Sequence, residues 1–431
     1  MRKKVLIYPG NSYSAEEIYW CLKYSLRYEP VVGNHGSAHL EYIAPEVYFG
    51  KLPLIFDSDF FVRFNELIAR ENISFVIPAH DTVAEFLTAN SNSINCTVVC
   101  SCAETASICR HKRKTYEVLD GCPFVPRVYD SVDASIEFPL FAKDDIGQGG
   151  KNSCIVNDFP QLKQLLENSE IDYVITEYLP GDEITVDCFT DRHGTLLFCQ
   201  PRARDTILTG MSGRSHIIHD DGEVAAIGNA INSRIKFQGY WYFQCKRDSE
   251  RRYKLMEVST RFAGTYCLSK NLDVNFPVLA LSDKEGIDIS IIPNEYGLSA
   301  DRGYKNVYKL DLEYETVYFD FDDTLVSNRT KYIVPTMAFL FQCLNKGKKT
   351  ILLTRHAYDI YETLENLHID RHVFYKVVEL EPGISKAEYI DIGERCILID
   401  NSFAERADVK STLGIPTFDI CNLDCLIDAW S

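Results

Sequence analysis

Asp320-Phe321-Asp322-Asp323-Thr324 follows directly on an apolar run, Val317-Tyr318-Phe319. Two carboxylates spaced two apart at the end of a buried strand are costly unless something binds them. Mg²⁺ is the natural occupant, a hard cation that takes oxygens from carboxylates and phosphates together. Phosphate monoesters are among the slowest substrates to hydrolyse unaided, and a held nucleophile divides that reaction into two easier steps. One carboxylate can form an aspartyl-phosphate. A second can protonate the leaving oxygen and then activate water. Three later residues suit the same chemistry. Thr354, after Thr350-Ile351-Leu352-Leu353, offers a hydroxyl and a backbone N–H to a phosphate oxygen. Lys386, in a helical stretch after Pro382-Gly383, offsets negative charge, and Asp400, after Cys396-Ile397-Leu398-Ile399, completes a Mg²⁺ shell.

A second constellation lies upstream. Phe138–Lys143 reads as a strand ending in a lysine, followed by Gly147-Gln148-Gly149-Gly150-Lys151. Glycines let backbone N–H groups close on a phosphate chain. Tyr173–Thr176 reads as a strand running into Glu177-Tyr178-Leu179-Pro180-Gly181-Asp182-Glu183. A strand edge with exposed backbone groups can hydrogen-bond an adenine, with Glu177 at its amino group and Glu183 at the ribose hydroxyls. Gln244 and Glu257 fall on two adjacent strands, Gly239–Lys246 and Tyr253–Val258, where their side chains can meet around Mg²⁺. Arg202, Arg204 and Arg261 are candidate binders of an anion or acyl phosphate; for the first two, surface ion pairs are the alternative.

The elements that must hold these groups alternate. Val5–Tyr8 is a strand closed by Pro9-Gly10-Asn11-Ser12, and a helix from Ala15 to about Leu26 places Ile18, Leu22 and Leu26 on one face. Phe75–Pro78, ending at His80-Asp81, and Thr97–Cys100 are further strands, so the spacing predicts a doubly wound parallel sheet. Cys102 to Asp130 reads as helical. From Phe138 the pattern turns to strands and glycine turns, with a helix near Gln161–Asn168 and a strand at Ile184–Thr190, which is α+β character. A hydrophilic stretch from Leu281 to Tyr304 is the candidate linker, and alternation resumes at Thr316.

The 431 residues suit two to four folding units. A net charge of −17 repels phosphate backbones and anionic membranes, which argues against nucleic acid or a membrane as partner. Fifteen cysteines are scattered without paired metal-ligand spacing and read as reduced thiols of a cytoplasmic protein. After Met1-Arg2-Lys3-Lys4 the apolar run is too short for a signal peptide, and no run of about 18 apolar residues reads as a membrane span.

From about Thr316 onward, the four elements in order resemble the haloacid-dehalogenase (HAD) superfamily. The resemblance implies Asp320 as nucleophile, Asp322 as general acid/base, Thr354 as phosphate binder and Lys386 as the third-motif lysine. It implies Asp320, Asp322 and Asp400 around the metal. Many members carry a second acid after the last aspartate; here it is Asn401. Only about 25 residues separate Thr324 from Thr350, too few for a large cap, so a capless Rossmannoid parallel sheet is expected over 314–431.

Residues 1 to about 300 resemble the ATP-grasp superfamily, in particular its carbamoyl-phosphate-synthase-like ligases. The match rests on Lys112, Lys143, Gly147, Gly149 and Gly150, Glu177 to Glu183, Gln244, and Glu257-Val258-Ser259-Thr260-Arg261. It implies a Rossmann-like leading domain over 1–103 and an α+β ATP-grasp domain of two subdomains over 104–303. ATP is expected on Lys112, Lys143, the glycine loop, Glu177, Tyr178, Leu179 and Glu183. Mg²⁺, with Mn²⁺ as a substitute, is expected on Gln244, Glu257 and Ser259, with Arg261 catalytic and Arg202 and Arg204 on substrate. Three positions depart from the family pattern. His111 precedes the first lysine where an acid is usual, which makes Lys114 a rival of Lys112. Asp144 replaces a proline, and Ser259 a metal-binding Asn.

The expected activity is bifunctional. An ATP-dependent carboxylate–amine ligase acts through an acyl phosphate, and a Mg-dependent phosphatase removes a phosphate ester from its substrate or product. The expected partners are a small carboxylate and an amine, one phosphorylated, with a homodimer as the assembly. The alternative is an ATP-binding regulatory module that controls the phosphatase without ligating.

Overall fold

β1 (Lys3–Tyr8), β2 (Tyr28–Gly33), β3 (Tyr48–Phe49), β4 (Ile73–Pro78) and β5 (Thr97–Val98) form a parallel sheet in the order β3-β2-β1-β4-β5. Period-two geometry sends Val5 and Ile7 to one face and Leu6 and Tyr8 to the other, and both faces are buried. The helix Phe60–Glu71 covers one face with Phe60, Phe64, Leu67 and Ile68, and stops at left-handed Asn72. The first helix spans Tyr13–Lys23, not 15–26, and Leu26 is 93% exposed. Its end has a local cause: the Ser25 hydroxyl accepts from the N–H groups of Arg27 (3.3 Å) and Tyr28 (3.2 Å), turning the chain into β2.

The structure, a computed structural model, describes all residues except 1, 24, 130–135, 168–169, 209–210, 294–296, 302–311, 419, 421–422, 424–425 and 429–431. Asp130 and Asn168, the expected helix ends, the domain limit at 303 and the linker's last residues lie outside the described ones. The chain divides into two units, Met1–Tyr304 and Lys305–Ser431.

Within the first unit, the expected helical run from Cys102 resolves into Ala103–Arg110 and Lys112–Val118. Beyond Val118, Pro123 and Pro126 each lack an N–H donor, and the chain continues as turns. β6 (Leu140–Asp144), β7 (Cys154–Val156) and β8 (Tyr173–Glu177) make a small antiparallel sheet packed on Leu162 of the helix Phe159–Glu167. β9 (Glu183–Thr190) and β10 (Leu196–Ala203), with β14 (Gly239–Arg247) and β15 (Tyr253–Ser259), belong to a larger antiparallel sheet, ordered β10-β9-β14-β15. Small pairs follow: β11 (Ile207–Leu208) with β12 (Met211–Ser212), and β13 (Arg214–His216) with β16 (Ser299–Asp301). β14 and β15 complete the larger sheet.

Alternation in that sheet separates core from chemistry. Ile184, Val186, Cys188, Trp241, Phe243 and Cys245 face a core closed by the helix Glu223–Arg234. Glu183, Thr185, Asp187, Tyr242, Gln244 and Lys246 therefore share the opposite face. Farther along that face, Phe189, Tyr240 and Tyr242 merge with Val5, Ile7, Phe75 and Ile77 of the first sheet in one apolar cluster.

In the second unit, β17 (Thr316–Phe319), β20 (Lys349–Thr354), β21 (Lys376–Glu379), β22 (Cys396–Ile399) and β23 (Thr417–Phe418) form a parallel sheet ordered β21-β20-β17-β22-β23. Val317, Phe319, Leu352, Ile397 and Ile399 fill one face; Tyr318, Ile351, Leu353 and Leu398 fill the other. Between β17 and β20 lie the hairpin β18 (Val326–Ser327)–β19 (Lys331–Tyr332) and the helix Val334–Asn345. Among the described residues no helix is long and apolar enough to cross a membrane.

Candidate active sites

A cleft of about 560 Å³ in the first unit is lined by Lys112, Lys143, the loop Gly147–Lys151, Glu183, Gln244, Glu257, Arg202, Arg204 and Arg261, among others. The two sheets build it. β6 ends by delivering Lys143, and Gln244 of β14 lies directly opposite Glu257 of β15. That register depends on a bulge: Cys245 pairs with Leu255 and Gln244 with Glu257, so Met256 is the extra residue. The bulge turns the Met256 carbonyl to Lys143, whose ammonium donates to it at 3.1 Å and to the Tyr116 hydroxyl at 2.5 Å. Lys143 is buried, and both of these acceptors are neutral. Burial, assisted by nearby Lys112 and opposed by Glu257, brings its pKa down to about 7.

Lys112 opens the helix Lys112–Val118, and its ammonium donates to the carbonyls of Asp144 (3.1 Å), Asp145 (3.2 Å) and Gly147 (2.9 Å). It anchors the glycine loop. The rival, Lys114, donates to the Ser107 hydroxyl and does not line the cleft. His111 bonds the Asp145 carboxylate at 2.7 Å, and Asp144 accepts from Ile146 N–H and the Asn152 amide inside the loop. Gly149 and Gly150 have φ of 60° and 70°, and a Cβ on Gly147 would sit 2.8 Å from that of Asp144. The Gln148 side-chain amide is buried at the cleft with no hydrogen-bond partner.

Each arginine has an acid behind it. Arg202 is buried, with Nε donating to Asp187 at 2.9 Å and a second nitrogen to the Thr265 hydroxyl at 2.5 Å; Asp187 also accepts from Tyr240 and Ser269. Arg204 pairs with Glu183 and donates to the Gln244 amide oxygen at 3.2 Å. The surface-pair alternative fails for both, because their side chains are at most 7% exposed. Arg261 donates to Asp81 at 2.6 Å. Asp81 comes from the leading sheet, just after β4. Burial disfavours its carboxylate, but Arg261 and Ser259 overcome that and hold its pKa below the usual value.

Three expected ligand roles meet different surroundings. The Ser259 hydroxyl donates to Asp81 at 2.6 Å, and Ser259 is not among the residues lining the large cleft. Glu177, Tyr178 and Leu179 do not line it either. The Glu177 carboxylate accepts from Arg127 N–H at 2.8 Å, and residues 127–129 pair along the β8 edge that the sequence left open for an adenine. Glu183 does line the cleft, but Arg204 occupies its carboxylate.

The second unit collects its groups at the carboxyl ends of β17, β20 and β22, as open parallel sheets do. Lys386 bridges two carboxylates, Asp320 at 2.7 Å and Asp400 at 2.6 Å, and is 2% exposed. Burial pushes the Asp320 pKa up; Lys386 opposes that and Asp400 adds to it. Thr324 donates to Asp320 at 3.0 Å or to Asn401 at 3.1 Å, so the Asn401 amide oxygen is turned to a hydroxyl. Lys386 stands in a single 3₁₀ turn, Lys386–Tyr389, rather than a longer helix. The Thr354 hydroxyl is buried with no partner. Among the described residues no three His, Cys, Asp or Glu side chains form a metal-holding group. Asp322 departs from its expected place on the metal: its carboxylate bonds His356 Nδ1 at 2.8 Å.

Sequence reasoning passed over Tyr116, Asp81 and His356. The His80-Asp81 pair after a strand was visible, but not its task. His356, two residues past Thr354, carried the same strand-end signal.

Residues 169–301 match the family model described as ATP-grasp in the biosynthetic pathway with Ter operon. The solved structures similar to this chain include the following three. Biotin carboxylase from Campylobacter jejuni, solved as a β,γ-ATP complex, has a TM-score of 0.57 at 14% identity over 68% of this chain and 72% of that one. N5-carboxyaminoimidazole synthetase from Staphylococcus aureus, complexed with ADP, scores 0.55 at 15% identity over 68% and 80%. L-amino acid ligase from Bacillus licheniformis scores 0.52 at 16% over 65% and 74%. No curated protein matches the sequence. The chain has an ATP-grasp fold.

Proposed function

We propose that this protein is a bifunctional enzyme: an ATP-dependent carboxylate–amine ligase joined to a HAD-type phosphatase. The ligase reading rests above all on Lys143, a buried cation with two neutral acceptors, beside the unpartnered donor of Gln148. Both groups want an anion, and both line the cleft. When bound, ATP with Mg²⁺ supplies the phosphoryl group that activates a carboxylate as an acyl phosphate. Lys143, Gln148 and the loop amides hold phosphate oxygens. Gln244 and Glu257 hold the metal. Arg261, braced by Asp81, and Arg204 steady the carboxylate.

In the second unit, an Asp320 oxygen attacks phosphorus as the bond to the leaving oxygen breaks, and Asp322 gives that oxygen its proton. Asp322 then takes a proton from water as the water oxygen attacks the aspartyl-phosphate, freeing Asp320 and inorganic phosphate. Asp320 and Asp400 suit Mg²⁺ there, and the unpartnered Thr354 hydroxyl suits a phosphoryl oxygen. The phosphatase acts on an ester carried by the ligase's substrate or product. We assign the protein to the cytoplasm, on the free thiols of its described cysteines.

Ser259, engaged by Asp81 rather than free for a metal, favours a second reading in which the ATP-grasp unit binds ATP and regulates the phosphatase. ADP release separates the two: a rise on adding carboxylates and amines supports the ligase, and none across a broad panel supports the regulator. The screen uses the Asp320→Asn chain, which is expected to lose hydrolysis of 4-nitrophenyl phosphate while keeping its circular dichroism. Full hydrolysis by that variant would refute the nucleophile assignment.

A further inference from the structure

We infer that His356 is a positioning residue that fixes which oxygen of Asp322 carries the catalytic proton. The inference rests on the phosphatase reading of the second unit. The imidazole is 2% exposed although the Asp322 carboxylate is 45% exposed, so the ring forms the inner wall of the general acid. Its Nδ1 lies 2.8 Å from Asp322 Oδ2, and its Nε2 lies 2.9 Å from the Thr363 hydroxyl. Phe321 meets the ring edge-on at a centroid distance of 5.2 Å, and Tyr358 lies at 5.8 Å. Thr363 sits on the helix Ile360–Asn366, which is capped by Asp359 accepting from the N–H groups of Tyr361 (2.8 Å) and Glu362 (3.0 Å). Both ring nitrogens are therefore pinned from fixed elements.

The hydrogen-bond inventory sets the direction. An ionised carboxylate only accepts, so Nδ1 must carry the hydrogen. The Thr363 hydroxyl, with its one hydrogen, lies 2.9 Å from both the Asp359 carbonyl and Nε2; turned to Nε2, that hydrogen completes a neutral ring whose own hydrogen is on Nδ1. With Oδ2 held by Nδ1–H, a proton taken up by Asp322 resides on Oδ1, the oxygen left for the leaving group. The same hold keeps Oδ1 ready to take the proton of the attacking water. An unheld carboxyl would divide its proton between two oxygens and more than one rotamer. His356 exchanges no proton with substrate; it acts through Asp322.

The test uses leaving groups that differ in their need for that proton. A 4-nitrophenolate departs without protonation, whereas an alkoxide does not. Full-length wild type, His356→Leu, His356→Asn and Thr363→Val are compared with Mg²⁺ on 4-nitrophenyl phosphate and on β-glycerol phosphate. The readout is kcat/KM, which reports the steps through phosphoryl transfer to Asp320. His356→Leu is expected to lose about thirtyfold or more on the alkyl ester and less than about threefold on the aryl ester. His356→Asn, which keeps an N–H near the Nδ1 position, recovers much of the loss, and Thr363→Val shows a smaller loss with the same selectivity. Equal losses on both esters, or none on either, would overturn the inference. Should His356→Leu fail to fold, Thr363→Val carries the same comparison, because it leaves the ring and Asp322 in place. Wild type inert towards both esters would instead bring down the phosphatase reading beneath it.

Discussion

At the scale of single residues, the two sites share a feature: a buried lysine, met in each by different partners. Lys386 has two carboxylates and stays paired, whereas Lys143 has a hydroxyl and a carbonyl, with a pKa near 7. The sign of its pH dependence follows. Below pH 7 the free protein already carries the charge that a phosphate needs. Above it, binding must draw a proton from solvent, so ATP affinity falls as pH rises through 7. Calorimetry in buffers of different ionisation enthalpy should find uptake of up to about one proton per ATP near pH 8. Lys143→Met should abolish that uptake and weaken ATP binding by about tenfold or more, the worth of a hydrogen bond to a charged group. Binding of ATP with unchanged affinity and unchanged proton uptake by this variant would remove Lys143 from the site. Lys112 differs again: its ammonium donates to the carbonyls of Asp144, Asp145 and Gly147, so it ties the end of β6 to the glycine loop.

At the scale of elements, the glycine loop gives the sharpest prediction. A side chain at 147 would press on Asp144 at 2.8 Å and on the Lys151 carbonyl at 3.3 Å, so the loop must open. Gly147→Val should reduce ATP affinity while leaving the melting of the protein nearly unchanged, measured by calorimetry and thermal scanning. This loop was legible in the sequence, as were the strands that end in Lys143, Asp320, Thr354 and Asp400. Each is a short apolar run meeting a polar residue. β2 and β10 were not legible, because Pro30 and Pro201 interrupt the pattern that marks a strand. β3 and β23 have two residues each, too few to define a period. Side-chain destinations were the hardest part. Glu177 and Ser259 sit where the resemblance puts ligands, yet residues distant in sequence, Arg127 and Asp81, claim their polar groups.

At the scale of the whole molecule, each unit holds its own apolar clusters, so substitutions in one site should not register in the other. Asp320→Asn should leave ATP affinity within about twofold, and Lys143→Met should leave hydrolysis of 4-nitrophenyl phosphate within the same margin. A loss of phosphatase activity in Lys143→Met would reveal coupling and favour the regulatory reading.

The Asp81 carboxylate, just past the end of β4, reaches Arg261 and Ser259 and so ties the leading sheet to the wall of the cleft. Protein engineers who cut before Ala103 to obtain a minimal catalyst would discard the brace along with more than half of the apolar cluster shared by β1, β4, β9 and β14. The boundary that looks natural for swapping modules is therefore a poor place for scissors, and chimeras built there should need an aspartate grafted at the matching position before they bind anything.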